Sequence, residues 1–316
     1  MLIRQAHYLL AVADHGSFTR AASALHISQP ALSQRIIDLE GELGVQLFDR
    51  SGRVVKLTDQ GRTYIEHVRR ALRELNAGER AMKDIANALG GTLRVAFLPL
   101  FTTHLVGPLM QEFYRRHPGV ALTIDILAQG ELEAALVEDR IDIGLAFSDI
   151  ASNEIDVEKI QDDELCLIVG KRHAMYRKDK VRVTEMKNEN LALLTHAFIT
   201  RAPIDRYFHS HDVRPRIAIE TNSADSIIAI VKGAPIATVM PSETARQVPG
   251  LKAVQLIPSP GKWTLSVLQR KDAYRSAAAK ALVATLKQQR RALLFRYDVF
   301  ISFGRGFRNS ILEFSL

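Results

Sequence analysis

Apolar residues recur at helical spacing through the first 45 residues of the chain and then change rhythm. Over 2–13, Leu2, Leu9, Val12 and Ala13 fall on one side of a helix that His15-Gly16 ends. Ser17 is placed to cap a short second helix whose Ala21, Ala22 and Leu25 turn inward, and His26-Ile27 makes a brief turn. Ser28 then caps a third helix. Its first turn tolerates Pro30 because first-turn N–H groups have no intrahelical partner. Leu32, Ile36, Leu39 and Leu43 give that helix an inward stripe, and Gly44 supplies its stop. The small Ala21 and Ala22 let the second and third helices cross closely, so the pattern predicts a helix-turn-helix.

The outward side of the third helix carries Gln29, Ser33, Gln34 and Arg35. Gln and Arg can read purine edges in a major groove, while Ser and helix N-terminal N–H groups hold phosphates. A packing helix with a solvated face would look the same in isolation, but a second motif follows. Leu47-Phe48-Asp49-Arg50, Ser51-Gly52 and Arg53-Val54-Val55-Lys56 read as a hairpin, with Arg50, Arg53 and Lys56 at or beside its tip. Three basic residues on a hairpin are often merely solvated; after a recognition helix they form a wing. Thr58-Asp59 caps a long helix to about Leu89, in which Ile65, Val68, Leu72, Leu75, Met82, Ala86 and Leu89 keep heptad spacing around an a-position Glu79. Two readings stay open for it: a helix packed on its own domain, or a dimer seam. The seam would pair two recognition helices on half-sites roughly one DNA turn, or a multiple, apart.

After Gly90-Gly91, read as a hinge, strands alternate with helices: strand Leu93–Phe97, helix Leu105–His117, strand Val120–Leu127, helix Glu131–Asp139, strand Ile141–Phe147. A second unit begins near Glu164, with strands Leu165–Val169, Leu191–Leu194, Ile217–Glu220 and Ile236–Met240 and helices Pro203–His211 and Ser223–Lys232. Strand Thr264–Leu268 and helix Ala273–Gln289 return to the first unit. The alternation predicts α/β lobes built on parallel, doubly covered sheets. Ligands of such sheets bind beyond the carboxyl ends of strands. There the sequence places Thr102 and Thr103, in a loop with hydroxyls and orphan N–H groups fit for a small anion, then Gln129 and Ser148, with Thr200 and Asn222 from the opposite lobe. A lone Ser or Thr at such a place is as easily a helix cap.

Composition narrows the function. The 316 residues suit two or three domains of roughly 100–200 residues each. At 47% hydrophobic and 24% charged residues, wholesale disorder is excluded. One cysteine, Cys166, excludes an internal disulfide and a Cys-rich zinc cage and fits a reducing compartment. No run nears ~18 apolar residues, and the N-terminus lacks a cleavage site, so a cytoplasmic protein without membrane contact is expected. The net charge of +7 is uneven: +2 over 1–90, −2 over 91–265 and +7 over 266–316. The case for DNA therefore rests on motif geometry rather than on charge. Catalytic motifs are missing: no G-x-S-x-G, Walker A loop, G-x-G-x-x-G or H-E-x-x-H occurs. Ser259-Pro260-Gly261-Lys262 has two helix breakers inside its Ser-x-x-Lys spacing, and His209-Ser210-His211 has no companion ligands. No enzyme activity, cofactor or metal is expected. The aromatic and arginine-rich tail after Leu294 is read as a disordered end or an element capping the first lobe.

Phe18 to Ser33, with Ile36, Leu39-Glu40, Leu43-Gly44, Leu47-Phe48-Asp49-Arg50 and Leu57-Thr58, resembles the N-terminal signature of LysR-type transcriptional regulators, without a gap from Leu2 to Gly61. Within that family HGSFTRAASALHISQPALSQ, LFDRSGR, GPLMQEFYRRHP and SAAAKAL are similar to cyanate-operon regulators. The resemblance implies an α/β fold class with an all-α-type N-terminal module: winged helix-turn-helix (1–58), linker and dimerisation helix (59–90), and two-lobed periplasmic-binding-protein-like effector domain (91–316). Lobe I would be 91–161 and 266–295, lobe II 162–265, joined by two crossings, with an atypical tail at 296–316. DNA contacts are expected from Thr19, Arg20, Ser28, Gln29, Pro30, Ser33, Gln34, Arg35, Arg50 and Arg53; for the effector the resemblance supports the loop of Thr102 and Thr103 and the region of Thr200, while Gln129, Ser148 and Asn222 are expected there from their places at strand ends alone. Implied partners are promoter DNA, a small-molecule effector such as cyanate, RNA polymerase and further copies of the chain in a dimer or tetramer. The effector could equally belong to another pathway, as a different small anion or an aromatic. A solute-binding protein would lack the N-terminal motif and carry an export signal.

Overall fold

A computed structural model of the protein describes residues 3–51, 55–86 and 91–289; the side chains at 83–86 and at Thr103 lie outside that description. The chain divides into two compact units, Met1–Lys83 and Asp84–Leu316.

In the first unit α1 (Ile3–His15), α2 (Phe18–Ala24) and α3 (Gln29–Leu43) enclose a core of Leu9, Val12, Ala21, Leu32, Ile36 and Leu39, each at most 1% exposed. Local chemistry sets the boundaries. Ser17 Oγ accepts from the Arg20 amide and Ser28 Oγ from the Ala31 amide, each at 3.4 Å. Gly44 ends α3 at φ +68°, where a residue with a Cβ would be strained. Leu43, expected inside, is 37% exposed, because the last turn of α3 runs past the edge of the core. Two short strands, β1 (Phe48–Asp49) and β2 (Lys56–Leu57), pair antiparallel as the predicted hairpin; Gly52, Arg53 and Val54 lie outside the described residues. Thr58 Oγ1 accepts from the Gly61 amide at 2.9 Å and starts α4 (Asp59–Ala86). Along α4, Ile65, Val68 and Leu72 close the core, whereas Leu75 and Met82 are 50% and 62% exposed. Leu89 lies outside the described residues.

The second unit contains two sheets that share a strand. The strands are β3 (Gly91–Phe97), β4 (Val120–Ile126), β5 (Ile143–Phe147), β6 (Ile155–Gly170), β7 (Lys180–Arg182), β8 (Asn190–Leu194), β9 (Arg216–Thr221), β10 (Ala237–Pro241), β11 (Leu251–Ile257) and β12 (Lys262–Arg270). Hydrogen-bonded order runs β4-β3-β5-β12-β6-β10-β8-β9, with β11 between β6 and β7. The first ten residues of β6 pair with β12, and the remainder with β10 and β11. One continuous strand thus leaves lobe I and enters lobe II, and the chain returns ahead of Lys262, where β12 begins. The sheets are mixed rather than purely parallel, because β12 runs antiparallel to β5 and β6, and β10 antiparallel to β6. Antiparallel pairing follows when a strand crosses out and its neighbour crosses back.

Helices α5 (Gly107–Arg116) and α6 (Gln129–Val137) cover lobe I, and α7 (Arg201–Ser210), α8 (Ala224–Gly233) and α9 (Ser242–Gln247) belong to lobe II. A last helix, α10 over 277–289, does return to lobe I: Gln289 Nε2 donates to Pro108 O at 3.2 Å and Arg116 donates to Gln288. The residues beyond it, including the arginine-rich tail, lie outside the described ones. Among the described residues no helix is long and apolar enough to cross a membrane, and no group of three His, Cys, Asp or Glu residues could hold a metal ion.

Candidate functional site

Two surfaces carry the chemistry expected from the sequence, one on each unit. On the first, α2 and the tight turn after it present the N-terminal half of α3 to solvent. Thr19, Arg20, Ser28, Gln29, Pro30, Gln34 and Arg35 are exposed and Ser33 is half-buried. Their availability differs. Among the described residues, the side chains of Thr19, Gln29, Ser33 and Arg35 make no hydrogen bond or ion pair within the chain, so their polar groups can meet base edges or phosphates without breaking anything. Gln34 donates to Asp38 at 2.8 Å, Arg20 to the His15 carbonyl at 2.6 Å, and the Ser28 hydroxyl caps α3.

Arg50, expected at or beside the wing tip, also braces the fold. Its Nη2 donates to Glu40 Oε2 at 2.7 Å, and its guanidinium lies 4.8 Å from the Phe18 ring centroid. Glu40 Oε1 also accepts from the Leu47 and Phe48 amides at 2.8 and 3.1 Å, tying the hairpin to α3.

On the second unit the predicted ligand residues scatter. Thr102 stands where a 3-10 turn (Pro99–Phe101) passes into a π-helical turn (Thr102–Val106); its Oγ1 lies 2.7 Å from Pro99 O and 3.1 Å from Asp225 Oδ2 of lobe II. Gln129, expected as a ligand contact, is 7% exposed and locks α6 to the end of β5. Its Nε2 has Glu133 Oε1, Phe147 O and Asp149 O within 3.1–3.3 Å, and its Oε1 accepts from the Phe147 amide. Two amide protons facing three acceptors leave nothing for a ligand. Ser148 is half-buried and Asn222 is exposed; neither lines a cavity described below.

Thr200 does line one. At the start of α7, a small cleft is lined by Leu100 of lobe I and by Leu165, Leu193, Leu194, Thr200, Arg201, Ile204, Thr238, Val239, Met240 and Pro241 of lobe II. Thr238 is 1% exposed and its Oγ1 has no hydrogen-bond partner. Its one mark in the sequence is a hydroxyl residue inside the apolar run of β10. Arg201 is 5% exposed: Nε meets both Asp205 carboxylate oxygens at 2.9 Å, and Nη1 donates to Leu194 O at 2.8 Å and Glu220 Oε1 at 3.0 Å. A neighbouring small cleft shares Pro241 and is walled by Phe101, Phe147 and Trp263, with Phe147 and Trp263 centroids 4.3 Å apart. Both cavities take residues from the two lobes, so what fills them is sensitive to how the lobes sit.

Cys166 points into the apolar core at 6% exposure, and burial pushes its thiol up to about 11, helped by Asp163 and Glu164. His211 Nδ1 lies 2.7 Å from Tyr207 O, so His211 of the His209-Ser210-His211 run is engaged locally.

Comparison with known proteins agrees with this division. Residues 3–62 match the model described as the bacterial regulatory helix-turn-helix protein, lysR family, and residues 86–291 match the LysR substrate binding domain. The chain is 30% identical over 207 residues to the RuBisCO operon transcriptional regulator of Allochromatium vinosum, covering 65% of this chain and 68% of that one. It is 26% identical over 248 residues to the HTH-type transcriptional regulator AlsR of Bacillus subtilis, covering 78% and 82%. In fold it is similar to full-length CbnR complexed with its target DNA (TM-score 0.60, 22% identity, 91% and 99% covered). It is similar also to full-length OxyR from Pseudomonas aeruginosa (TM-score 0.64, 21% identity, 91% and 95% covered). With a winged module ahead of a two-lobed domain, and with both parts matched, the chain belongs to the LysR family of DNA-binding transcriptional regulators.

Proposed function

We propose that the protein sits on a promoter as a homo-oligomer in the cytoplasm and activates transcription in response to a small molecule bound between its lobes. The observation that carries the reading is the face of α3, where Gln29, Ser33 and Arg35 are free of intrachain partners on a winged module. Thr19, Arg20, Ser28, Pro30 and Gln34 flank them as backbone contacts, and Arg53, outside the described residues, would extend the wing. Arg50 holds the hairpin through Glu40.

Two features support assembly. Leu75 and Met82 leave an apolar seam uncovered on α4, as a second copy would require. In the second unit β4 is an edge strand with Ile124 and Ile126 39% and 43% exposed. Lobe charge differs as well: residues 91–164 and 262–289 together hold 11 basic and 15 acidic side chains, and residues 165–257 hold 14 basic and 8 acidic. Two copies packed with unlike lobes adjacent would lower that field.

The effector acts through its differential affinity for two arrangements of the lobes, and the linker helices carry the change to the spacing or bend of the DNA. RNA polymerase is the partner that an activator needs. Cyanate, implied by the closer sequence likeness, draws no support from the relatives named above, which regulate the RuBisCO operon in one case. The test is a competition gel shift at moderate salt between the gene's own upstream region and random fragments. Preference for the upstream region by a dimer or tetramer is the expected result; a monomer without preference overturns the proposal.

A further inference from the structure

We infer that the outer edge of lobe II, from Lys171 to Lys187, is a second DNA-binding surface, one that holds the phosphate backbone of a duplex in addition to the grip of the winged module. The inference goes beyond the proposal above and rests on it only in taking promoter DNA as the partner. Residues 171–187 carry 7 basic and 2 acidic side chains, against 14 and 8 for the whole of 165–257, so nearly all of the lobe's positive excess lies in this one stretch. Among the described residues β7 pairs with β11 alone and is an edge strand, flanked by 3-10 turns at Ala174–Arg177 and Val183–Asn188. Met175, Val181, Val183 and Met186 are buried in the core of lobe II, and Arg177, Lys180, Arg182 and Lys187 are left on the outer side.

Both acids of the stretch are already taken. Asp179 holds Lys252 at 2.9 Å, and Glu185 holds Lys178 at 2.5 Å. Arg172 donates to Gly233 O at 3.1 Å. The side chains of Lys171, Arg177, Lys180, Arg182 and Lys187 are exposed and, among the described residues, make no hydrogen bond or ion pair within the chain. Their layout selects the kind of anion. Lys180 and Arg182 stand on one side of β7, about 6.6 Å apart along the strand, and Arg177 and Lys187 lie in the turns at either end. A compact anion meets such a row one cation at a time. A chain of phosphates meets several together, and each contact releases counterions condensed on the DNA. The acidic lobe I of a second copy is the poorer match, since its Glu112, Glu138, Asp139, Asp142, Asp156 and Glu158 already pair with cations of the same lobe.

The test compares the full-length protein with two variants that lose equal charge. One is Lys180→Gln/Arg182→Gln/Lys187→Gln, in the basic edge; the other is Lys262→Gln/Lys271→Gln/Lys280→Gln, at exposed positions from the start of β12 onward. Affinity for a duplex of the gene's upstream region is measured by fluorescence anisotropy between about 50 and 200 mM salt, where each phosphate contact adds about 0.9 to the slope of log affinity against log salt. The edge variant is expected to lose about 1–3 from that slope and to keep the wild-type ratio of upstream-region to random-DNA affinity, because phosphate contacts carry no sequence information. The second variant is expected to keep the wild-type slope. An unchanged slope in the edge variant overturns the inference, and so does an equal loss in both variants, which would leave only the effect of net charge. Altered sedimentation of the edge variant without DNA, at an unaltered slope, overturns it as well and makes another copy of the chain the partner. A wild-type protein without preference for the upstream region overturns the promoter reading instead, and the slopes are then compared on random duplex.

Discussion

Thr102 of lobe I meets Asp225 of lobe II: its Oγ1 lies 3.1 Å from Asp225 Oδ2, at the first turn of α8, while also lying 2.7 Å from Pro99 O in its own loop. A residue chosen from the sequence as a ligand contact is therefore a lobe-to-lobe contact. Thr102→Val is expected to raise amide hydrogen exchange in 99–106 and at the start of α8 by about three- to tenfold, the range of one hydrogen bond, with operator affinity retained. Unchanged exchange in both segments would show that the contact does not hold the lobes.

Replacement of Gln29, Ser33 or Arg35 by Ala is expected to act on selectivity. Each lost base contact costs about 1–3 kcal/mol of discrimination. The ratio of upstream-region to random-DNA affinity should fall about tenfold, with thermal stability unchanged, because these side chains bond to nothing in the chain. Equal discrimination in the variant would remove that residue from base reading.

Glu40→Ala is expected to behave in the opposite way. It strands the Leu47 and Phe48 amides and frees Arg50 from its partner. The cost is about 2–4 kcal/mol, measured as a lower urea midpoint of the first unit's transition. A loss below about 0.5 kcal/mol would contradict the bracing role.

Gly61→Ala tests the approach of α4 to the hairpin. A Cβ on Gly61 would come 2.0 Å from the Leu47 carbonyl oxygen, and backbone on both sides cannot yield as a side chain could. Destabilisation of about 1–3 kcal/mol is expected, read by thermal unfolding. An unchanged midpoint would mean that the helix and the hairpin separate freely.

Cys166 gives a pH prediction. Its thiol is pushed up to about 11 from an ordinary 9.0 by burial, so the folded state retains the proton that the unfolded state releases. This group's contribution to stability is present below about 9 and declines as pH rises through about 11. Alkylation by iodoacetamide at pH 8 should therefore be slow in the native protein and rapid in urea. Equal rates in the two conditions would place the thiol at the surface.

Local rules were readable in the sequence because they are local. Ser17, Ser28, Thr58 and Gly44 mark helix ends through atoms four residues away or less, and the structure uses each of them so. The first half of β6 was not readable, since 155–164 is rich in Asp, Glu and Lys and its strand character comes from pairing with β12, a hundred residues later. The candidate site failed in the same way. Position at a strand's end suggested Gln129 as a ligand contact, but its partners lie 18 and 20 residues on, in the segment that follows α6. The neutralisation of Arg201 by Glu220 likewise spans 19 residues and leaves no mark in either neighbourhood.

The shared strand β6 has a mechanical consequence. Because its 16 residues belong to both sheets, the halves of the effector domain are leaves on one spine rather than beads on a string. A protease nick confined to the return loop at 258–261 would leave that spine whole. Motion between the leaves must then be rotation about an unbroken ribbon, which admits swivelling and twisting and resists drawing apart.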